Sequence, residues 1–430
     1  MSASSKNRFT PPDSLRWLYV DFNSYFASVE QQLNPSLRGK PIAILPVETD
    51  STCAIAASYE AKAFGVKTGT PIYEAKKICP GIICVLAQHN RYVEFHELLL
   101  DEIGRHIPVN KVCSIDEMAC HLMENERPPE RAKAIAQSIK SGIAKNVGEH
   151  IKCSIGIAPS KYLAKVATDI QKPDGLTVLM PEDLPKQLLN LKLRDLPGIG
   201  QNIERRINEA GIHDMRGLMK LQPKHLRAIW GSLWGEKMWY YLRGFDLPEE
   251  ETNRSTIGHS HVLAPEMRAP EQTYMIARRL TMKAAARLRR MEYHADKFSL
   301  SLRTENGNRF GLEANCPPSQ DSFIFLNLLE ILWQSLLQET RNKRIKKISV
   351  LIYGLIQNKD LNVQGDLFAV AAPAAATKQK NEKISKTIDQ LNQKFGRDTI
   401  LLGMTSNQDK SSTGTKIAFT RIPDMEEFLE

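Results

Sequence analysis

The sequence predicts a protein of the α+β class with several domains. Its 430 residues correspond to roughly two to four domains of about 150 residues each, and a hydrophobic content of 42% is enough to form their cores. Residues 15–178 contain strands and helices in β-α-β order without a regular repeat, and residues 256–355 contain a second such run. This order favours two separate α+β units.

The composition excludes several protein classes. Every apolar run is broken by charge well before the about 20 residues that a membrane helix needs, and the N-terminus lacks the apolar segment of a secretory signal. We therefore expect a soluble, cytoplasmic protein. The seven cysteines are an odd number, without a CxxC pair or histidines at zinc spacing, so we expect free thiols.

The positive charge is concentrated late in the chain. The net charge is +9, and residues 253–350 hold 16 Lys or Arg against 9 Asp or Glu, a difference of +7. Such a region favours a polyanionic partner, because neutralised phosphates release counterions. A solvated surface explains the charge equally well.

Three acidic residues follow apolar segments. Residues 15–21 predict a buried strand ending at Asp21, before a helix over residues 23–33. Residues 112–120 predict a hairpin strand with adjacent acids, Asp116 and Glu117. Adjacent strand residues point to opposite faces, so the strand must end or bend there if both serve one site. Three such carboxylates suit a two-Mg²⁺ phosphoryl-transfer site, although isolated acids are more often surface or capping residues.

Other elements follow from apolar periodicity and turn residues. Further strands and helices are expected at these positions: strands at 41–46, 53–57 and 152–157, and helices at 59–64, 72–78, 131–147 and 161–169. The stretch Leu196–Gly200 (LPGIG) opens a helix and is typical of a helix-hairpin-helix, whose glycines let the backbone approach a phosphate. An ordinary turn between packed helices is the alternative. Residues 369–382 are rich in Ala, Lys and Gln and predict a linker.

Six motifs carry a family resemblance. They are, in chain order, Asp21–Glu30 (DFNSYFASVE), Ala57–Gly65 (ASYEAKAFG), Ser114–Glu117 (SIDE), Ser154–Ile157 with Lys161–Lys165, Lys172–Gly175 (KPDG) and Leu196–Gly200. In this order and spacing, over residues 15–355, the sequence resembles the Y-family lesion-bypass DNA polymerases, and most closely their bacterial DNA polymerase IV branch.

The resemblance implies a right-hand arrangement of domains. Its parts would be a flexible leader (1–13), a ferredoxin-like palm (14–24 and 86–178), small fingers (25–85), a helix-hairpin-helix thumb (179–248), an α+β little finger (253–357), a linker (358–383) and a C-terminal extension (384–430). The extension has no role implied by the resemblance.

The resemblance also implies roles for individual residues. The metal ligands would be Asp21, the Phe22 carbonyl, Asp116 and Glu117, which hold two Mg²⁺ or Mn²⁺ ions, and the three acids would be the catalytic residues. The incoming nucleotide would contact Tyr25, Phe26, Tyr59, Lys62 and Lys172. The DNA would contact Pro197, Gly198, Gly200, Lys346 and Lys347.

Two of the matched positions leave alternatives open. Phe26 would be a steric gate that rejects the ribose 2′-hydroxyl, or it could be a core residue of an amphipathic helix. Lys62 stands where many family members have arginine, and a lysine is a point charge without a bidentate fork. Asn23 has no implied role.

A short peptide after the little finger resembles the segment by which bacterial polymerases bind the sliding clamp. Leu367 and Phe368 would fill an apolar pocket, and Gln364 would bond at its rim. An amphipathic turn is the alternative. The implied partners are therefore primer-template DNA, dNTPs and a sliding clamp, with the protein acting as a monomer.

The leading hypothesis is a template-directed, low-fidelity DNA polymerase for translesion synthesis. A polymerase-shaped accessory protein without activity is the first alternative, but such proteins usually lose palm acids, and all three are present here. A nucleotidyl cyclase is the second, and it has no need of the helix-hairpin-helix, the basic domain or the clamp-like peptide.

Overall fold

The computed structural model describes residues 11–249, 253–341, 343–360, 373–396, 399–403, 417, 422–423 and 425–428. The chain divides into two compact units. The first consists of residues 1–249 and 415–428, and the second of residues 250–414 and 429–430.

The first unit contains strands β1 to β8 and helices α1 to α10 among its described residues. The strands are β1 (Trp17–Phe22), β2 (Ile42–Leu45), β3 (Ala56–Ala57), β4 (Ile83–Leu86), β5 (Lys111–Ser114), β6 (Glu117–His121), β7 (Cys153–Ala158) and β8 (Leu176–Val178). The helices are α1 (Tyr25–Leu33), α2 (Tyr59–Ala63), α3 (Ile72–Ile78), α4 (His89–Gly104), α5 (Pro129–Asn146), α6 (Lys161–Ile170), α7 (Gln201–Glu209), α8 (Met215–Met219), α9 (Pro223–Trp230) and α10 (Leu233–Tyr241).

A five-stranded sheet in the order β5-β6-β1-β7-β8 forms the centre of this unit, with β1 antiparallel to both neighbours. Alternate residues of β1 enter two different cores. Leu18 and Val20 pack in the core that contains residues of α4 and α5, whereas Tyr19 packs in the core that contains residues of α6. Because side chains alternate along a strand, Asp21 shares the face of Tyr19 and points towards α6.

The remaining elements of the first unit form two smaller parts. The first part is a three-stranded sheet in the order β3-β2-β4. The chain segment that forms it lies between α1 and α4 and also contains α2 and α3. Helices α7 to α10 pack through Ile207, Leu218, Leu226 and Met238, which are buried in one core with α6.

The second unit is an antiparallel sheet with helices on one face. Its elements are β9 (Thr256–Val262), α11 (Pro270–Arg290), β10 (Tyr293–Thr304), β11 (Arg309–Ser319), α12 (Ser322–Thr340), β12 (Ile345–Gln357) and α13 (Pro373–Phe395). The strand order is β11-β10-β12-β9. Phe298 and Leu300 of β10 are buried against Phe325 and Leu329 of α12. The alternate residues of β10, Lys297, Ser299, Ser301 and Arg303, point to the opposite face of the sheet.

The predicted linker requires a correction, because the chain is helical from Pro373. The alanine-rich stretch has high helix propensity but no apolar period of its own. In the second half of α13, Ile388 is buried and Asp389 accepts two hydrogen bonds from Arg289, at 2.6 and 2.8 Å. The composition of residues 369–382 does not indicate the helix, because these two contacting residues lie beyond that segment.

Candidate functional site

The end of β1, the start of β6 and the turn that precedes β6 bring together the three acidic residues. Asp21 lies near the end of β1, Glu117 begins β6, and Asp116 occupies the two-residue turn after Ser114. Asp21 and Glu117 are direct partners in the antiparallel register. The chain therefore breaks between β5 and β6, as the adjacent acids require if they are to serve one site.

Asp116 is held in its turn by hydrogen bonds. The Ser114 hydroxyl lies 2.5 Å from Oδ1 of Asp116, and the Asp116 carbonyl accepts from the Phe22 N–H at 2.9 Å. Burial raises the pKa of Asp116, the Ser114 hydrogen bond opposes this, and the charges of Asp21 and Glu117 raise it further. Several negative charges therefore lie close together with little access to water, and a cation beside them is strongly stabilised.

Two lysines supply positive charge at the acids. Nζ of Lys165 contacts Oδ2 of Asp21 and lies 2.9 Å from Oε1 of Glu117 and 3.5 Å from Oδ2 of Asp169. Nζ of Lys172 lies 2.9 Å from Oδ1 of Asp21 and 2.8 Å from Oδ1 of Asp169. Burial alone would lower the pKa of Lys165, but the neighbouring carboxylates outweigh burial and raise it. The same balance raises the pKa of Lys172.

Close packing of α6 on β7 allows Lys165 to reach the acids. A Cβ atom on Gly156 would lie 2.0 Å from the carbonyl oxygen of Ala164 and 2.7 Å from Cβ of Ala167. Any side chain at Gly156 would therefore push α6 away from the sheet. Glycine at this point of β7 sets the distance between the helix and the carboxylates.

Asn23 braces the turn that carries Lys172, a role that was not predicted. Its Oδ1 accepts from the Asp174 N–H at 2.7 Å, and its Nδ2 donates to the Ser154 hydroxyl at 3.1 Å. The Ser154 hydroxyl in turn donates to the Gln171 carbonyl at 3.1 Å. These bonds fix both sides of the Lys172 turn to the end of β1. The signal in the sequence was that Asn23 and Ser154 both lie inside the family motifs.

The aromatic residues of α1 have different surroundings. The half-buried Phe26 ring stacks on Tyr92, with ring centroids 4.4 Å apart and planes at 15°. Tyr92 is itself fixed, because its hydroxyl donates to Glu30 at 2.8 Å and its carbonyl accepts from the Tyr25 hydroxyl at 2.6 Å. Tyr25 is only 3% exposed. Its side chain belongs to the core, so a nucleotide contact at this residue would have to come from its main chain.

Tyr59 and Lys62 of α2 lie beside the start of α1. Nζ of Lys62 donates to the Ser24 hydroxyl at 2.6 Å and lies 4.4 Å from the centroid of the Tyr59 ring. Burial lowers the pKa of Lys62, and the positive charge of Lys172 lowers it further. Burial also raises the pKa of Tyr59, which keeps its hydroxyl protonated as a donor. Ser24, with a φ of 49°, was not predicted as a site residue.

The predicted helix-hairpin-helix turn precedes α7. Gly198 has a φ of 93°, which only glycine adopts readily. Gly200 is the N-cap of α7, and no side chain caps this helix among the described residues, so its first N–H groups can donate to an anion. The Pro197 carbonyl accepts from the Tyr162 hydroxyl at 3.0 Å, and the turn rests against the indole of Trp234.

A row of cations crosses the open face of the second sheet. Arg303 of β10 is the register partner of both Arg309 on β11 and Lys347 on β12. Because Leu302 is buried on the helix side, these three side chains lie on the opposite face. Lys346 is exposed at the start of β12, next to a bulge in the ladder.

Some predicted features are not tested by this structure. Gln364, Leu367 and Phe368 lie outside the described residues. In the part of the chain that the structure describes, no three acidic, histidine or cysteine side chains are gathered closely enough to hold a metal ion. No helix in that part is long and apolar enough to cross a membrane. The cysteines are free thiols, as predicted.

Three family models match the chain. The model of the impB/mucB/samB family matches residues 20–169, the model of the DNA polymerase-iota thumb domain matches residues 194–246, and the model of the impB/mucB/samB family C-terminal domain matches residues 254–367. The matches fall in turn on most of the central sheet, on the helical part and on the sheet and first two helices of the second unit.

Curated relatives and solved structures agree with these matches. The chain is 30% identical to the DNA polymerase IV of Moorella thermoacetica over 394 residues, which is 89% of this chain and 94% of that protein. It is 28% identical to the DNA polymerase IV of Oceanobacillus iheyensis over 94% of this chain and 95% of the relative. A Y-family DNA polymerase chimera matches 80% of the chain and 100% of its own length, with a TM-score of 0.69 and 26% identity. An insertion ternary complex of Dbh DNA polymerase matches with a TM-score of 0.53, 26% identity and the same coverage of both chains.

Proposed function

Because the chain belongs to the Y family of DNA polymerases, we propose that it extends a DNA primer at the acidic site of β1 and β6 by two-metal nucleotidyl transfer from dNTPs. It is a DNA-directed DNA polymerase of the translesion class. The observation that carries the proposed site is the convergence of Asp21, Asp116 and Glu117 at two adjoining strand ends, beside cationic side chains.

The donor atoms at this place fit divalent cations. We propose that Asp21, Asp116, Glu117 and the Phe22 carbonyl hold two Mg²⁺ ions, or Mn²⁺ in their place, since carboxylate and carbonyl oxygens are the ligands Mg²⁺ prefers. The like charges that raise the pKa of Asp116 also favour cation binding there. When bound, two such ions lower the pKa of an attacking primer 3′-hydroxyl and stabilise negative charge on the leaving oxygen.

The hydroxyl and ammonium groups that lie beside the acids suit the triphosphate of the nucleotide. The Tyr59 hydroxyl can donate a hydrogen bond, and the ammonium groups of Lys62 and Lys172 can neutralise phosphate oxygens. Lys172 is held by a turn braced by Asn23, so its charge is positioned before the nucleotide arrives. Charge that is in place beforehand costs no reorganisation during the reaction.

Replacing Lys62 with methionine is expected to raise the KM for dNTPs about tenfold, with a smaller fall in kcat, because a charge-assisted contact to phosphate is lost. Lys62→Arg should restore most of the affinity. Steady-state primer extension with varied dNTP concentration measures both constants. Lys133→Met is the matched control, since the Lys133 side chain is 41% exposed and pairs only with exposed Glu130 among the described residues. An unchanged KM in Lys62→Met would remove Lys62 from the nucleotide site.

Two surfaces are suited to the DNA backbone. The uncapped N–H groups at the start of α7 can donate hydrogen bonds to one phosphate, with Pro197 and Gly198 shaping the turn. On the second unit, the row of Arg303, Arg309 and Lys347 offers three cations on one sheet face. Contacts of this kind bind DNA without reading its sequence, as a polymerase requires.

Primer extension by the purified protein with Mg²⁺ and each dNTP, on undamaged and abasic templates, tests the proposed function. Template-directed incorporation on both is the expected result. A folded protein that binds primer-template DNA but adds no nucleotide with Mg²⁺ or Mn²⁺ would instead be the accessory protein. The presence of all three acids argues against that alternative.

We propose the peptide Gln364–Phe368 as the sliding-clamp contact, on its sequence and its position just after the predicted little finger (253–357). Deleting it should reduce clamp-stimulated synthesis and leave clamp-free synthesis nearly intact. Extension assays with and without clamp, on the same template, measure the two activities. Equal losses in both would exclude the clamp contact.

A further inference from the structure

We propose that Lys165 is an internal counter-ion which divalent cations displace, so that metal loading exchanges ammonium–carboxylate contacts for metal–carboxylate contacts. The inference rests on the proposed function in one respect, because it takes Asp21 and Glu117 as metal ligands. It adds a positioning role for Lys165 in the metal-free protein, where the lysine holds together carboxylates that would otherwise repel one another.

The contacts of Lys165 come from three different elements. Its ammonium touches Asp21 of β1, lies 2.9 Å from Glu117 of β6 and lies 3.5 Å from Asp169 of its own helix. The Lys165 side chain is 18% exposed and that of Asp21 is 7% exposed. A charged group with so little access to water is stable only beside charges of opposite sign, so Lys165 and the acids depend on one another.

Each carboxylate oxygen of Asp21 and Glu117 already has a donor beside it in this arrangement. Asp21 uses Oδ2 for Lys165 and Oδ1 for Lys172, while Glu117 uses Oε1 for Lys165 and Oε2 for the Tyr19 hydroxyl at 2.9 Å. In this arrangement, the acids do not form a group ready to hold a metal ion among the described residues. A divalent cation placed on these oxygens would lie within a few ångströms of the ammonium groups and be repelled by them. Binding therefore requires an ammonium to leave.

Lys165 and Lys172 can move away from the carboxylates in different ways. Lys172 lies on a turn and is the proposed contact of the triphosphate, so substrate can take up its charge. Lys165 lies inside α6, whose backbone is fixed against β7 at Gly156. The four-carbon side chain of Lys165 must swing away from Asp21 and Glu117 while its helix stays in place, and Asp169, one turn further along α6, remains within its reach.

The test measures Mn²⁺ binding without DNA or nucleotide. Lys165→Met removes the charge at similar length, and we expect it to bind Mn²⁺ on the order of tenfold more tightly than wild type, by electron paramagnetic resonance titration. In the absence of metal, Lys165→Met should melt at a lower temperature, and Mn²⁺ should raise its melting temperature more than that of wild type. Lys165→Arg should restore the metal-free melting temperature. Lys133→Met, which makes the same change of charge at a lysine that pairs with Glu130 and not with the three acids, should match wild type in both measurements.

Equal or weaker Mn²⁺ binding by Lys165→Met would overturn the exchange, since it would mean that Lys165 supports the ligands in the loaded state. If the variant does not fold without metal, recovery of a cooperative thermal transition on adding Mn²⁺ supports the proposal, and no recovery overturns it. Primer extension by wild type is scored separately. If wild type extends primers but Lys165→Met binds Mn²⁺ no more tightly than wild type, the proposed function stands and the exchange is excluded. If Lys165→Met binds Mn²⁺ more tightly but wild type does not extend primers, the exchange stands and the proposed function is excluded.

Discussion

Replacing Asp116 with asparagine is expected to abolish primer extension, with a loss on the order of 10³-fold or more in kcat/KM. Asp116 lies in the turn between β5 and β6, where its carboxylate is positioned by Ser114 beside Asp21 and Glu117. The amide keeps the size and the Ser114 contact but removes the negative charge that a divalent cation needs. Single-turnover extension with saturating dNTP and Mg²⁺ measures the loss, and an equilibrium titration should show unchanged binding of primer-template DNA.

The same substitution should leave the metal-free fold as stable as wild type, or more stable. Burial raises the pKa of Asp116 above its unfolded value, so keeping the carboxylate ionised near neutral pH costs folding free energy. This cost grows as the pH rises through the raised pKa and is absent below the unfolded value, and asparagine removes it. Thermal unfolding at pH 7 without metal checks this result.

Glu130→Gln is the matched control for Asp116→Asn, because Glu130 is an exposed acid that pairs with Lys133 at 3.0 Å. It should extend primers like wild type. Full extension by Asp116→Asn would exclude Asp116 from the reaction. Loss of activity accompanied by a large fall in melting temperature would instead assign the residue to the structure of the turn.

Those parts of the site that depend on local sequence could be predicted. The apolar run before Asp21 predicts β1, and the adjacent acids predict the break that the structure places between Ser114 and Glu117. The fold class follows from the order of elements, and the comparisons confirm it. The same local reasoning explains the glycine-bearing turn before α7.

The remaining parts depend on contacts between residues that are distant in sequence. Lys165 lies 144 residues after Asp21, and no periodicity in α6 indicates that its ammonium reaches the end of β1. Asn23 and Ser154, 131 residues apart, form a bond whose purpose becomes clear only with the Lys172 turn in place. The sequence predicts a nucleotide contact at Tyr25 but not that the rotation of α1 turns its side chain into the core, which leaves only the main chain for such a contact. Such placements are set by tertiary packing, which local propensity does not encode.

Replacing Phe26 with alanine is expected to reduce the preference for dNTPs over rNTPs by on the order of 10²-fold. In the proposed site, a ring at this position collides with a ribose 2′-hydroxyl and passes over a deoxyribose. The ring can act as a wall because it is stacked on Tyr92, and Tyr92 is held at its hydroxyl by Glu30 and at its carbonyl by Tyr25. Because Tyr92 is held in this way, the Phe26 ring cannot move away from a ribose 2′-hydroxyl without disturbing buried hydrogen bonds.

The ratio of kcat/KM for dATP to that for ATP, opposite the same template thymine, measures this preference. Phe26→Ala should raise incorporation of ATP while dATP is used nearly as well as by wild type. Phe64→Ala is the matched control, since Phe64 is 54% exposed and loses the same ring. Removing the half-buried Phe26 ring should also cost about 1–3 kcal/mol of folding free energy, so both proteins are compared well below their melting temperatures.

An unchanged ratio in Phe26→Ala would assign the ring to the packing of α1 alone.

A changed ratio would have a further consequence for the residues that support the Phe26 ring. Glu30 is buried, and burial raises its pKa although the hydrogen bonds from Tyr92 and Gln88 oppose the rise. Glu30→Gln would replace a charged acceptor of the Tyr92 hydroxyl with a neutral one of the same shape. If rigidity of the Tyr92 support sets the selectivity, this exchange should lower the ratio less than Phe26→Ala does, because the ring remains in place while its backing is loosened.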